Sequence, residues 1–510
     1  MNALNGHLNL ARFIQILKTE EELILSPELM EKVENSFVFL KDFAKNKIIY
    51  GVNTGFGPMA QYKIQEEECV ALQYNLIRSH AAGIGEPLRI EQCRAAILAR
   101  LNSLSLGHSG VHLNCIELMK TLLNRQITPL IFAHGGVGAS GDLVQLAHLA
   151  LVLIGEGEVF YQGERRNTQE VFAIENIQPL KIEIREGLSL MNGTSVMTGI
   201  GILNWKKAHQ LLNWSVKMAC AINELVATYD DHFSAALNAA KLHPGQQHIA
   251  EMMRKHLDQS VLIKKRENHL YQADNQEEIF KDKVQEYYSI RCIPQILGPV
   301  YDTIESVGKV LENEINSAND NPIIDVASQQ VYHGGNFHGD YVSLEMDKLK
   351  LVITRLTMLA ERQLNYLLNA KINELLPPFV NLGKLGFNFG MQGAQFTATS
   401  TTAESQTLST SMYIHSIPNN NDNQDIVSMG TNAALLCDRV IENAFEVLAI
   451  EMLTLAQAID QLNYQEKLTD ETKIWYQAVR EIVPVFQTDI VLYPYLQKIK
   501  NYLMQDELSH

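Results

Sequence analysis

Cysteine is scarce in this chain. The 510 residues hold six, at positions 69, 93, 115, 220, 292 and 437, and no two stand as C-x-x-C. That spacing gives no zinc ribbon and no thioredoxin-type pair, and scattered cysteines of this kind read as small buried hydrophobes. Basic charge is also short. Lys and Arg number 42 against 58 Asp and Glu, a net of −16, which argues against nucleic acid as a partner because polyanion binding needs a basic footprint. Long apolar runs are missing too. The longest considered, LAHLALVLIG at 146–155, is about half of the roughly 20 residues that a bilayer span requires. The start, MNALNGHLNLARF, has no basic segment followed by an apolar one. No secretory signal is therefore expected, and a soluble cytoplasmic protein without a membrane partner is. Neither a fixed-period repeat nor a low-complexity linker divides the chain.

What is present is ordinary globular composition, 46% apolar and 20% charged, at a length that allows two to four structural units. The first 200 residues carry many glycine turn signals (YGVNTGFGP, GIGEP, GHSG, HGGVGASGD, NGT) with short apolar runs such as ITPLIF and KIEI between them. They read as mixed helix and short strand. Beyond residue 200 the pattern changes. Between Asp347 and Leu368 apolar residues fall at 349, 352, 356, 359, 364 and 367, and Asn432–Leu462 repeats that spacing. Three-and-four spacing marks one face of a helix. Residues 202–230 and 296–316 are helical in pattern as well. Helices this long bury their stripes most simply against each other. The expectation is a mainly α protein: residues 1–200 as one domain with a few short strands, and 201–510 as a bundle of long helices. The polar loops SANDNP (317–322) and PNNNDNQD (418–425) look too specific to be spacers.

The richest stretch is ITPLIFAHGGVGASGDLVQLAHLALVLIGEGE, residues 127–158. Gly136, Gly138 and Gly141 make a formal G-x-G-x-x-G, with Glu158 17 residues past the last glycine. Locally this reads as a dinucleotide-binding fingerprint, but such a domain needs further strand–helix units that the long helices downstream do not supply. A second reading uses Ala139-Ser140-Gly141. If the Gly141 nitrogen attacks the Ala139 carbonyl carbon and two waters leave, one of them carrying the Ser140 hydroxyl, the product is a five-membered ring with an exocyclic methylidene. Glycine offers the least hindered nitrogen and permits the bend. The ring, 4-methylideneimidazole-5-one (MIO), is an electrophile made without an external cofactor. By itself Ala-Ser-Gly is also a common turn.

The whole stretch HGGVGASGDLVQLAHLALVLIGEGE resembles the signature of the histidine/phenylalanine/tyrosine ammonia-lyase family. Other stretches similar to that family follow in order: YGVNTGFGP, LIRSHAAG, EGLSLMNGT, VQEYYSIRCIPQILGP, SANDNPII, HGGNFHG and NQDIVSMG. Nearly the entire chain is covered, with most resemblance to bacterial tyrosine ammonia-lyases. DLVQLAH departs from the usual pattern, in which a proline follows DLA, at a place beyond the ring. The resemblance implies an ammonia-lyase/fumarase-like fold, MIO formed autocatalytically from Ala139-Ser140-Gly141 with no metal, and a homotetramer with active sites shared among three chains.

It also implies roles. Tyr50 would take a proton from the substrate's Cβ; since a tyrosine ordinarily holds its own proton to about pH 10, nearby donors or positive charge are needed. Tyr288 would be a second catalytic tyrosine, with Tyr287 directed elsewhere. Arg291 would grip the substrate carboxylate with its fork, with Gln285 and Tyr288 on the same face if the segment is helical. Asn192 would donate to the ring oxygen, as in an oxyanion hole. Asn321 would sit on the carboxylate side, Glu404 near the amine, and Gln424 in the pocket. His80, in the pair Ser79-His80, would read the far end of the aromatic ring. That pair marks histidine enzymes in much of the family, yet the tyrosine-type bacterial resemblance carries it too. The implied activity is conversion of L-tyrosine to p-coumarate and ammonia. L-histidine to urocanate stands second, and phenylalanine deamination and an aminomutase outcome stand behind it. Outside this family, the alternative is a helical nucleotide-binding or scaffold protein that happens to carry the glycine motif.

Overall fold

The computed structural model describes residues 2–19, 21–271, 278–280 and 283–505. Long helices dominate: Ser195–Leu225, Ile293–Ile315, Asp340–Leu368 and Gly430–Leu462. Each falls on a stretch whose apolar spacing predicts it. Strands are short and sit in separate small sheets: Thr128–Pro129, Glu158–Tyr161 and Glu164–Asn167 form an antiparallel trio, and the others pair two by two. KIEI at 181–184, which alternates charged residues with isoleucine, forms no strand. The glycine stretch 135–141 does precede a helix, Leu143–Leu153. Among the described residues, however, there is no doubly wound parallel sheet for a nucleotide fold to rest on.

Two compact units emerge, and neither is continuous in sequence. The first comprises residues 1–205, 307–347 and 411–437; the second comprises 206–306, 348–410 and 438–510. The borders at 205/206, 306/307, 347/348 and 437/438 fall inside the four long helices. In the first unit the Ile90–Ser105 helix has thirteen buried residues, and the helix starting at Ser195 lies directly on it. A Cβ on Gly199 would stand 2.7–2.9 Å from the backbone of Ala95 and Ala96. Only a residue without a side chain permits that approach. Asn204 extends the packing by donating to the Ala434 carbonyl at 2.8 Å.

The second unit combines apolar stripes with buried charge. Lys207 reaches Asp438 and Glu442 at 3.4 and 3.1 Å, and Lys500 reaches Glu442 and Glu446 at 3.0 and 3.1 Å. Four of the six cysteines are buried, and burial pushes the Cys93 thiol up to about 12. Among the described residues no helix is long and apolar enough to cross a membrane.

Glu451 is a buried acid with no such pairing among the described residues. Its residue is 0% exposed, neither carboxylate oxygen has a hydrogen-bond partner among the described residues, and burial pushes its pKa well above the ordinary range. A raised folded-state pKa means that the neutral acid's contribution is fully present below the unfolded pKa near 4.5. It is lost as pH climbs toward the folded value, at about 1.4 kcal/mol per pH unit. Glu451→Gln, which cannot ionise, should flatten that decline. Melting temperatures of both proteins between pH 5 and 8 should diverge, with the variant relatively more stable at the higher pH; parallel curves would contradict this.

Candidate active site

A cavity of about 340 Å³ lies in the first unit, lined by Tyr50, Phe56, Leu76, His80, Ser140, Leu143, Leu188, Asn192, Asn321, Phe337, Asn420, Asn423 and Gln424 among others. Its size suits a small ligand. Its floor is the Ala139–Gly141 turn. Gly141 has φ +71°, and a Cβ there would stand 2.0 Å from the Gly193 carbonyl oxygen. The same carbonyl accepts from the Asp142 N–H at 2.8 Å. Gly138, also left-handed at φ +76°, leaves a gap that Ser428 Oγ fills, and Ser428 Oγ donates to the Gly138 carbonyl at 3.0 Å. The turn is thus wedged from both sides.

Both oxygens of Ser140 receive a donor. Asn192 Nδ2 donates to the Ser140 carbonyl at 3.0 Å, and Gln424 Nε2 donates to Ser140 Oγ at 2.9 Å. The next residue, Asp142, is fully buried and turns the other way. Its carboxylate accepts from the Val196 and Met197 amides at 2.8 and 3.0 Å and from Thr431 Oγ1. It thereby caps the Ser195–Leu225 helix, where an anion is favoured. Burial nonetheless raises its pKa to about 6 against those hydrogen bonds.

Tyr50 enters on a glycine turn. Its hydroxyl oxygen accepts from the Gly57 N–H at 3.1 Å, and its own N–H donates to His333 Nε2 at 3.4 Å. Gln73, buried and absent from the sequence expectations, ties this turn down. It donates to the Gly51 carbonyl and accepts from the Leu188 N–H, both at 3.1 Å. His80 ends the Cys69–His80 helix. Its Nδ1 lies 3.0 Å from the Leu76 carbonyl, which can only accept. Ser79 Oγ, also 3.0 Å from Nδ1, gives its own hydrogen to the Leu76 carbonyl at 3.1 Å, so in the neutral ring the assignment that satisfies both oxygens puts the proton on Nδ1 and leaves Nε2 an acceptor.

The remaining expected residues lie in the second unit, in two groups. Arg291 ends the Tyr288–Arg291 turn, donates to Gln285 Oε1, and stands 4.9 Å from the centre of the Tyr288 ring. All three line a cavity of about 630 Å³ with Arg362 and Tyr366. Tyr287, expected to point elsewhere, lines this same cavity and packs edge-on to Tyr366 at 5.6 Å. Glu404, on the Gln392–Leu408 helix, accepts from Asn443 at 2.7 Å and pairs with Arg439 at 3.1 Å. The Asn443 hydrogen bond first, then Arg439, holds its pKa below the usual value. The first unit thus gathers Tyr50, His80, Ser140, Asn192, Asn321 and Gln424, while Gln285, Tyr288, Arg291 and Glu404 belong to the second. Among the described residues no cluster of His, Cys, Asp or Glu could hold a metal ion.

Residues 8–481 match the family model described as aromatic amino acid lyase. The chain is 38% identical over 489 residues to a tyrosine 2,3-aminomutase of Myxococcus sp. (strain Mx-B0), covering 94% of this chain and 92% of that protein. It is 37% identical over 510 residues to a histidine ammonia-lyase of Geobacillus thermodenitrificans (strain NG80-2), covering 100% and 98%. Its fold is similar to the crystal structure of tyrosine aminomutase from Streptomyces globisporus, with a TM-score of 0.93 and 35% identity over 98% of this chain and 96% of that one.

The wedge makes its own prediction. Gly141→Ala would force a side chain into left-handed backbone, at about 1–2 kcal/mol, and into the Gly193 carbonyl, where overpacking costs about 1–3 kcal/mol more. Its melting temperature should fall well below that of the parent in a thermal denaturation. An unchanged value would mean that the turn yields freely.

Proposed function

This chain belongs to the aromatic amino acid lyase family, and from that premise we propose that it is an MIO-dependent ammonia-lyase acting on L-tyrosine, giving p-coumarate and ammonia. The observation that carries the electrophile is the turn itself. Gly141 is bent against Gly193, Asn192 donates to the Ser140 carbonyl, and Gln424 donates to Ser140 Oγ, the oxygen that must leave as water. These residues fit the group. Closed, the ring supplies an electrophilic carbon to which an amine can bond, which makes ammonia a feasible leaving group. Asn192, which donates to the Ser140 carbonyl, would donate to the same oxygen in the closed ring.

The chain's own residues do the rest. Tyr50 removes a proton from the substrate's Cβ through its hydroxyl oxygen, and the Gly57 N–H aimed at that oxygen holds it in place. Arg291, steered by Gln285, takes the substrate carboxylate with two parallel N–H donors. Asn321 supports the carboxylate side, Glu404 faces the amine, and Tyr288 completes the set. Gln285, Tyr288, Arg291 and Glu404 belong to the second unit, whereas the lining of the Ser140 cavity comes from the first. We assign the complete site to a homotetramer in which other copies of the chain bring these four residues to that cavity.

Tyrosine is favoured by the His80 wall. An Nε2 acceptor suits a phenol O–H, and Phe56, Leu76 and Phe337 add apolar surface to the same cavity. Histidine is the second reading, supported by the Ser79-His80 pair and by the Geobacillus relative. The Myxococcus relative supports a third, in which the amine is re-added at Cβ. Incubation with tyrosine, histidine and phenylalanine side by side distinguishes them, since p-coumarate, urocanate, cinnamate and a β-amino acid are separable products.

Two variants test the assignment. Intact wild-type chain should weigh two waters less than its sequence requires, whereas Ser140→Ala should keep both its fold and its full mass and lose nearly all activity. Fully active wild type of unmodified mass would overturn the proposal. His80→Phe strands a tyrosine hydroxyl against an apolar wall and leaves phenylalanine unaffected. The phenylalanine-to-tyrosine ratio of kcat/KM should rise roughly 10-fold, equivalent to about 1.4 kcal/mol. An unchanged ratio would move selectivity away from His80.

A further inference from the structure

Behind the turn that bears Ser140 stands a buried charge network for which the mechanism has no use. Arg100, Arg185 and Asp320 are each 0–1% exposed. Arg185 Nη2 donates to Asp320 Oδ1 at 2.9 Å, and Arg100 Nη2 lies 3.9 Å from Asp320 Oδ2. Two cations thus share one carboxylate. The deficit shows in unmatched atoms: Nε of both arginines and Asp320 Oδ2 have no hydrogen-bond partner among the described residues. Burial pulls the Arg100 pKa down to about 10 against the opposing pull of Asp320. Stability alone explains this poorly, because well-packed apolar side chains often replace buried ion pairs at no loss.

The position of Arg100 gives a better reason. A Cβ built on Gly193 would stand 2.3 Å from Arg100 Nη1 and 2.6 Å from Asn319 Oδ1, and on the far side the Gly193 carbonyl lies against Gly141. Arg100, Gly193 and Gly141 therefore form a stack in direct contact. Arg100 is itself fixed, donating through Nη1 to Asn319 Oδ1 at 3.1 Å and through Nη2 to the Ser189 carbonyl. Asn319 passes the support on to Thr194 Oγ1 at 2.9 Å. The braces thus hold both flanks of Asn192-Gly193.

We propose that Arg100 is a positioning residue for ring closure: its guanidinium is the rigid back wall that keeps Gly193 pressed on Gly141 and the Ala139–Gly141 turn bent. Closure joins the Gly141 nitrogen to the Ala139 carbonyl carbon, and two waters leave. The reaction is intramolecular and needs no co-reactant, so its rate depends on how closely the two atoms are held. Arg185 shares Asp320, but its other contacts go to Ser109, Ser189 and Pro322 rather than to Gly193. It serves as the matched control.

The proposal rests on the MIO reading above, and the experiment separates the two. Intact mass is measured on soluble wild type, Arg100→Lys and Arg185→Lys after equal times, with melting temperatures alongside. Lysine keeps the charge and loses the fork. Wild type should be lighter by two waters throughout, and Arg185→Lys should be too, whatever its melting temperature. In Arg100→Lys the dehydrated fraction should fall about 10-fold or more, since small misplacements in such reactions cost up to about 100-fold. Equal dehydration of Arg100→Lys and wild type, or equal loss in both lysine variants, overturns the positioning role and leaves the MIO reading intact. Wild type of full mass overturns the MIO reading itself. If Arg100→Lys is insoluble, Gly193→Ala, whose methyl would displace the guanidinium, is read by the same mass criterion.

Discussion

The contact between Gly141 and Gly193 is the constraint from which the rest of the site follows. Two chain segments some fifty residues apart meet backbone to backbone, with no room for a side chain on either. Once they meet, the surrounding polar groups have little freedom. The Asp142 amide bonds the Gly193 carbonyl, which sends the Asp142 carboxylate to the first amides of the long helix. Asn192, one residue before the contact, is left facing the Ser140 carbonyl. A single close approach therefore fixes a donor on the carbonyl, a cap on the helix and the direction of the turn.

Around this contact the site is made of loops held by rigid elements, the usual way to place chemistry precisely enough. The loop bearing Gln424 shows the strain involved. Asn420, Asn421 and Asp422 have φ of 56°, 51° and 59°, three consecutive left-handed residues, none of them glycine. Asn and Asp tolerate that region better than other residues, though it still has a cost. Its two ends are tied by hydrogen bonds between Asn419 and Gln424, at 3.2 and 3.3 Å, and the result brings Asn420, Asn423 and Gln424 to one cavity wall. The run of asparagines, too specific in sequence to be a spacer, is thus a shaped part of the site.

Different parts of this structure were legible in the sequence for different reasons. The long helices were, because a stripe such as 349, 352, 356 and 359 is a local signal that needs no partner to be seen. KIEI was misleading because two isoleucines in alternation with charged residues fit an extended segment whether or not a strand pairs with it. The glycine motif is ambiguous for a related reason: Gly138 and Gly141 are there to meet Ser428 and Gly193, and spacing alone cannot tell a backbone contact from a phosphate loop. Gln73 and Arg100 were not found at all. The Arg100 partner Asn319 is 219 residues away, and no local pattern encodes such a pairing. The one available signal was a charge inside RAAILARLNSLSL, a segment otherwise suited to full burial.

The same logic gives the cavity its polarity. Around Ser140 the inward groups are donors: the Asn192 and Gln424 amides and, by Tyr50, the Gly57 N–H. On the His80 wall the polarity is reversed by a feature of helix geometry. His80 is four residues past Leu76, so the Leu76 carbonyl is within reach of the ring and claims Nδ1–H. The free nitrogen must then accept. A histidine in the same place without that carbonyl could adopt either tautomer and would present no fixed preference. By gripping its own helix it becomes a defined acceptor beside Phe56 and Leu76. The backbone, through one carbonyl, thus sets the hydrogen-bonding character of a side chain that could have gone either way.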